Sequence, residues 1–262
     1  MTNDNTLLKN RIIDLAMQAD TQGIYTCTRF LTPQEQSVVL ALKPTLPITV
    51  RLIGRSSLPA GNNDGVSDSS IRKLAVFGDE ESLGYEWEDP IRILHIRPKS
   101  QKFAQELSHR DYLGSLMALG IERELTGDIV VRKKEAWVFA LDTIVPFLCE
   151  NLTQVSHTMV LCEEVCEDVP ELAPQFQAFS FNAASERMDI LLSQVTGQNR
   201  EDAKKLIKDD KVFINGLLVM SAGHKLRKGD EIVVRGYGKY IYDGVTSTTR
   251  KGRCNITLRK YI

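Results

Sequence analysis

Arg200, Lys204, Lys208 and Lys211 are the residues of this chain whose types and spacing point most directly to a chemistry. At 3.6 residues per turn they fall in one sector of about 80° on a helical wheel. Ala203, Leu206 and Ile207 form an apolar stripe beside them, so the stretch from Arg200 to about 209 reads as a short amphipathic helix capped by Asn199. Lys205 adds a fifth cation, and Lys225, Arg227 and Lys228 follow. A rigid row of cations suits a phosphate backbone, because each Lys or Arg neutralises one phosphate and releases condensed counterions. A solvated helix face is the alternative, and Asp202, Asp209 and Asp210 do interrupt the positive surface.

Residues that could do covalent or acid–base chemistry fare less well. His109-Arg110-Asp111 matches the catalytic-loop triplet of protein kinases, but Leu116 stands where that loop needs asparagine, and no Asp-Phe-Gly or glycine-rich loop accompanies it. Arg187-Met188-Asp189 resembles the Arg-Leu-Asp of pseudouridine synthases, yet Ile190-Leu191-Leu192 continues a helix where a Thr-x-Gly turn is needed. Gly236-Tyr237-Gly238 is a lone Gly-x-Gly. Cys162 and Cys166 lack a second ligand pair, so no metal site is expected. His95, His109, His157 and His224 have no partners visible in sequence and are expected to be structural. These residues imply no catalytic site, no cofactor and no small-molecule substrate.

The net charge of −1 conceals an asymmetry. From Phe181 onward there are 16 Lys and Arg against 9 Asp and Glu, a net +7, while the preceding part carries 17 against 25, a net −8. One end is thereby suited to a polyanion. The first residues lack a charged segment followed by an apolar run, so no signal peptide is expected, and no uncharged stretch approaches the ~18 residues of a membrane span. Five scattered cysteines fit reduced thiols in a cytoplasmic protein.

The elements that must position the cations are read from periodicity. Leu7, Leu8, Ile12, Leu15, Ala16 and Ala19 predict a helix over 5–20. Thr32-Pro33-Gln34-Glu35 starts a second helix that ends before Pro44, giving an N-terminal helical region of residues 1–44. Strands are predicted at 48–53 and 72–78, with a Gly/Ser/Asn/Asp loop over 54–70 between them. A strand at 91–97, helical material at 101–119, strands at 128–132 and 136–140, a helix at 142–151 and a strand at 157–164 then follow. This βαββαβ order is the ferredoxin-like (RRM-like) arrangement, expected over 45–165 and extended by the two preceding strands. Neither Asp128–Arg132 nor Glu135–Ala140 carries the glycine- and aromatic-rich signature of an RNA-recognition motif. Residues 166–180 read as an acidic linker. Ser185 is expected to cap a helix through 187–195, and 239–243 and 255–259 to form a terminal hairpin connected by Gly244–Gly252.

Arg187-Met188-Asp189, Arg200, Ala203, Leu206-Ile207, Val212, Ile214-Asn215-Gly216 and Gly229-Asp230 resemble, in order and spacing, the S4 RNA-binding domain. Asn199 replaces the usual Ser, and Asp210 stands in place of the Gly that ends the second helix. The resemblance implies a C-terminal S4 (αL) domain over 181–262 with an added β-hairpin, and an RNA-facing side carrying Arg187, Arg200, Lys204, Lys205, Lys208 and Lys211. Lys225, Arg227, Arg250, Lys251 and Arg253 would widen that footprint.

Together with the stretches His109–Ile121 and Thr126–Ile129 in the middle domain, the order of pieces resembles the YlmH family, bacterial S4 proteins encoded near cell-division genes. It implies a non-catalytic protein that binds structured ribosomal RNA, with tRNA as a further partner, and acts on the large ribosomal subunit in ribosome quality control. His109 and Arg110 could form a second anionic contact near the Thr126–Asp128 turn, or Arg110 and Asp111 could simply tie the helix to that turn. An RNA-modifying enzyme with S4 as its targeting arm, and an adaptor for cell division, are the alternative functions.

Overall fold

The computed structural model describes residues 2–54, 71–102, 104–166, 169, 172–173, 175–250 and 252–261. It is a mixed α+β structure, with three antiparallel sheets and seven α-helices among the described residues. The chain divides into two compact units, Met1–Thr32 with Lys43–Ala173, and Pro33–Leu42 with Pro174–Ile262.

In the first unit, β4 (Ile91–Pro98), β5 (Thr126–Arg132), β6 (Glu135–Leu141), β7 (Gln154–Val155) and β8 (Thr158–Val165) form a sheet of order β5-β6-β4-β8-β7. Alternation along the strands divides its side chains between two apolar faces. Leu94, Ile96, Ala136 and Val138 pack against α4 (His109–Ala118) and α5 (Val145–Asn151), through Tyr112, Leu116 and Leu148. Ile91, Ile93, Trp137 and Phe139 point the other way and need a second cover.

That cover corrects the sequence expectation. The strands predicted at 48–53 and 72–78 do not extend the larger sheet. As β2 (Val50–Ile53) and β3 (Leu74–Phe77) they join β1 (Thr26–Cys27) in a separate sheet of order β1-β3-β2. Leu74, Val76 and Phe30 then pack on Ile91, Ile93 and Phe139. Phe30 comes so close that a Cβ on Gly127 would lie 2.7 Å from its ring, which explains the glycine there. The predicted loop falls on residues 55–70, outside the described residues. Helix α4 begins at His109 rather than near 101, because Asp111 accepts hydrogen bonds from the Ser108 backbone N–H and hydroxyl, both at 2.7 Å, and so fixes the start.

The helices expected as one N-terminal region are assigned to different units. Helix α1 (Thr2–Gln22) lies in the first, with Ile12, Leu15, Ala16 and Ala19 buried. Helix α2 (Pro33–Leu42) lies in the second. Periodicity gives each helix an apolar side without specifying which core it meets.

The second unit holds a six-stranded sheet, order β11-β10-β12-β13-β14-β9. Its strands are β9 (Phe176–Ala183), β10 (Val212–Ile214), β11 (Leu217–Leu218), β12 (Glu231–Val234), β13 (Gly238–Thr248) and β14 (Cys254–Tyr261). Helices α6 (Met188–Thr196) and α7 (Arg200–Lys208) pack on one face through Met188, Leu191, Leu192, Ala203 and Leu206. Asn215 and Gly216 both take positive φ, 50° and 80°, as a two-residue hairpin turn requires.

Three boundaries differ from expectation. Phe176–Ala183, placed in the acidic linker by sequence, is a strand paired along its whole length with β14, where Phe181 and Ala183 meet the core. Glu167, Asp168, Pro170, Glu171 and Pro174 of that linker lie outside the described residues. Helix α6 is capped at Arg187, not Ser185: the first helical N–H, of Met188, donates to the Ala222 carbonyl. Strand β13 runs on to Thr248, shortening the terminal turn to residues 249–253.

Candidate nucleic-acid interface

Helices α6 and α7 are joined electrostatically at their first turns. The Asp189 carboxylate is fully buried and accepts from Arg187 Nε at 3.0 Å and Arg200 Nη2 at 2.9 Å. Both arginine side chains remain about half exposed, at 51% and 54%. Burial pushes the Asp189 carboxyl upward, but hydrogen bonds and charge from the two guanidiniums outweigh it and hold the group below the usual carboxylate range. Two cations whose heads are fixed from below and open to solvent above can bind phosphate with little further ordering.

The rest of α7 is less cationic than its spacing predicts. Lys204 pairs with Glu201 at 2.8 Å, Lys205 with Asp202 at 2.7 Å, and Lys211 with Asp209 at 3.2 Å. Such exposed pairs, screened by solvent, contribute little and yield to a competing phosphate. Lys208 has no ion pair within 4 Å among the described residues. The end of α7 has a left-handed cap at Asp210, φ 54°, with its N–H bonded to the Ile207 carbonyl and the Lys211 N–H to that of Leu206. This is a Schellman arrangement with Asp at the position that glycine usually occupies.

A second group of cations lies in the loop before β12. The Ala222 carbonyl that receives the Met188 N–H sets this loop against the start of α6, next to Arg187. Its turn is tied by buried Asp230, which accepts from the Arg227 N–H at 2.7 Å and from Asn215 Nδ2 at 2.9 Å. Lys225, Arg227 and Lys228 are exposed, and the side chains of these three and of His224 form no ion pair among the described residues. Nothing in the spacing of residues singles out His224 as a member of this group.

The terminal turn is ordered by its own hydrogen bonds, Thr249 N–H to the Arg253 carbonyl at 2.8 Å and Gly252 N–H to the Thr249 carbonyl at 2.9 Å. Arg250 is exposed, and Arg253 donates to the Asn182 carbonyl at 2.9 Å. Lys251 lies outside the described residues.

In the first unit, His109 and Arg110 occupy the first turn of α4, with Arg110 exposed. Partial desolvation, and then the Arg123 charge, lower the His109 pKa against an opposing effect of Asp128. Among the described residues neither the Arg110 nor the Asp111 side chain bonds to the Thr126–Asp128 turn. Asp111 caps its own helix, and Arg123 Nη1 donates to the Thr126 carbonyl at 2.5 Å, the Thr126 hydroxyl at 2.8 Å and the Gly127 carbonyl at 3.0 Å. Burial, with Arg72 nearby, lowers Arg123 to about 10, so it stays charged.

His95 does have a partner: its Nε2 lies 2.8 Å from Glu135 Oε2, and its ring stacks on Trp137 with centroids 4.8 Å apart. The buried Cys162 thiol is pushed up to about 12 by burial, which leaves no thiolate at neutral pH. Among the described residues no group of three or more His, Cys, Asp or Glu is placed to hold a metal, and no helix is long and apolar enough to cross a membrane.

Residues 87–168 match the family model described as "Putative RNA-binding domain in YlmH". The chain is similar to ribosome-associated protein quality control protein P2 of Bacillus subtilis (strain 168), 24% identical over 234 residues that cover 89% of this chain and 86% of the relative. Among solved structures it is similar to cell division protein YlmH from Streptococcus pneumoniae, with 18% identity and a TM-score of 0.46 over 63% of this chain and 95% of that one. The matched residues span the five-stranded sheet of the first unit with α4 and α5, and in this domain the chain is similar to the YlmH family.

Proposed function

We propose that this is a non-catalytic, cytoplasmic RNA-binding protein that docks structured RNA of the large ribosomal subunit, with tRNA as a further contact, in ribosome-associated quality control. The observation that carries the reading is the buried Asp189 carboxylate holding Arg187 and Arg200 half exposed, near Lys225, Arg227 and Lys228, which form no ion pair among the described residues. The matched RNA-binding domain and the relative named for ribosome-associated quality control support the RNA and the ribosome respectively.

In this reading the C-terminal unit is an S4 module extended by β13, β14 and β9. Its RNA face is built from Arg187, Arg200, Lys204, Lys205, Lys208 and Lys211, widened by Lys225, Arg227, Arg250, Lys251 and Arg253. Contacts are to backbone shape and phosphate rather than base edges, because the deep groove of A-form RNA hides them. The first unit is ferredoxin-like, supported by the order β5-β6-β4-β8, but much of the sheet face that RNA-recognition motifs leave open is covered by β2 and β3. In this reading any RNA contact of this unit lies away from that face, with Arg110 in the first turn of α4 as its candidate. Co-sedimentation with purified large ribosomal subunits tests the reading: the wild-type chain is expected to pellet with them at low salt, and Arg187→Glu with Arg200→Glu to remain in the supernatant.

A further inference from the structure

Hairpin β10–β11 and the loop that follows it enclose a cleft of about 260 Å³. Ile214, Leu218 and Val219 line it with apolar surface, and His224, Lys225, Arg227 and Asp230 complete the lining. The volume is below the roughly 300–1,000 Å³ of pockets that take drug-sized molecules, so it suits a single small ring or side chain. The polar groups inside are already engaged. Asp230 accepts from Asn215 Nδ2 and the Arg227 N–H, and Asn215 Oδ1 accepts from the Glu231 N–H at 2.9 Å. An occupant therefore meets apolar contact within, beside Lys225 and Arg227, whose side chains form no ion pair among the described residues.

We propose that this cleft receives one unpaired nucleobase of the bound RNA, with Lys225 and Arg227 on the flanking phosphates; the inference rests on the RNA-binding reading of this unit. An extruded nucleotide combines the required features, a flat apolar ring next to a fixed anion. The site reads no particular base, because Asn215 and Asp230 are committed to the turn. The Met188–Ala222 bond ties the loop that carries Lys225 and Arg227 to the start of α6, where Arg187 stands. An acidic peptide is the competing occupant. The cations adjoining the Arg187–Arg200 pair favour RNA, whose phosphates recur at a fixed spacing.

The test is fluorescence anisotropy of the full chain with two labelled RNAs at one salt concentration, a fully paired hairpin and the same hairpin with a one-nucleotide uridine bulge. Wild type is expected to bind the bulged RNA about tenfold more tightly. Leu218→Trp, which fills the cleft, is expected to abolish that preference while leaving duplex affinity and melting temperature unchanged. Lys225→Gln with Arg227→Gln, both surface changes, is expected to lower affinity for the bulged RNA about tenfold more than for the paired hairpin, and does not depend on the core tolerating tryptophan. Equal binding of both RNAs by wild type, or a preference that survives both variants, overturns the cleft proposal and leaves the RNA-binding reading intact. Binding of neither RNA overturns both. A leucine-containing acidic peptide that binds wild type more tightly than the bulged RNA, and is lost in Leu218→Trp, overturns the nucleobase in favour of a protein partner.

Discussion

Asp189, buried in the first turn of α6, holds the guanidinium of Arg200 at 2.9 Å where α7 begins. A single carboxylate thus ties two helix starts together and aims a cation that stays half exposed. Arg187 shares the same carboxylate from the other side.

Replacing Asp189 with Asn keeps the shape and removes the charge. Stability is expected to fall by about 1–3 kcal/mol. RNA affinity is expected to fall severalfold although the protein becomes more positive, the reverse of what a charge count predicts. Because its carboxyl is held below its unfolded value, Asp189 contributes fully above the unfolded pKa of about 3.9, and the contribution is lost as pH falls through the folded value. Urea unfolding across pH checks this: the gap between wild type and variant at pH 7 should close in the acid range.

Asp210 has φ 54° at the position that closes α7, where a Cβ is disfavoured. Asp210→Gly is expected to stabilise the chain by about 1 kcal/mol, read as a rise in melting temperature. It also removes a carboxylate from the cationic face and is expected to tighten RNA binding modestly.

Gly127→Ala places a methyl within 3 Å of the Phe30 ring and 3.1 Å of Phe139 Cβ. The expected cost is about 1–3 kcal/mol in thermal unfolding. RNA binding measured below the melting transition should be unchanged, since the change lies under the small sheet.

Cys166 is exposed, whereas Cys162 is buried with its thiol pushed up to about 12. Brief alkylation of the native chain at neutral pH, mapped by mass spectrometry, is expected to label Cys166 and spare Cys162 until denaturant is added.

Much of the secondary structure was legible because local chemistry specifies it: Asn199 capping α7, Pro33 opening α2, and the alternation of Ile91–Pro98. What was not legible depends on distant partners. Phe176–Ala183 follows an acidic stretch and is a strand because β14, some eighty residues later, pairs with it. The strands at 50–53 and 74–77 were visible as strands, but their place as a separate layer follows from the second apolar face of β4 and β6. In the candidate site, helical spacing found the cations of α7 without their partners Glu201, Asp202 and Asp209. It also could not show that Asp189 is the buried centre of an ion-pair cluster, because eleven residues separate it from Arg200.

The central claim is that Arg187 and Arg200, held by Asp189, contact RNA phosphate. Filter binding of large-subunit ribosomal RNA across a salt series, with wild type and Arg187→Gln plus Arg200→Gln, tests it most directly. The expected result is weaker binding, with the slope of log affinity against log salt reduced in magnitude by about 1.5–2, because two phosphates are no longer neutralised by the protein. An unchanged affinity and slope would contradict it.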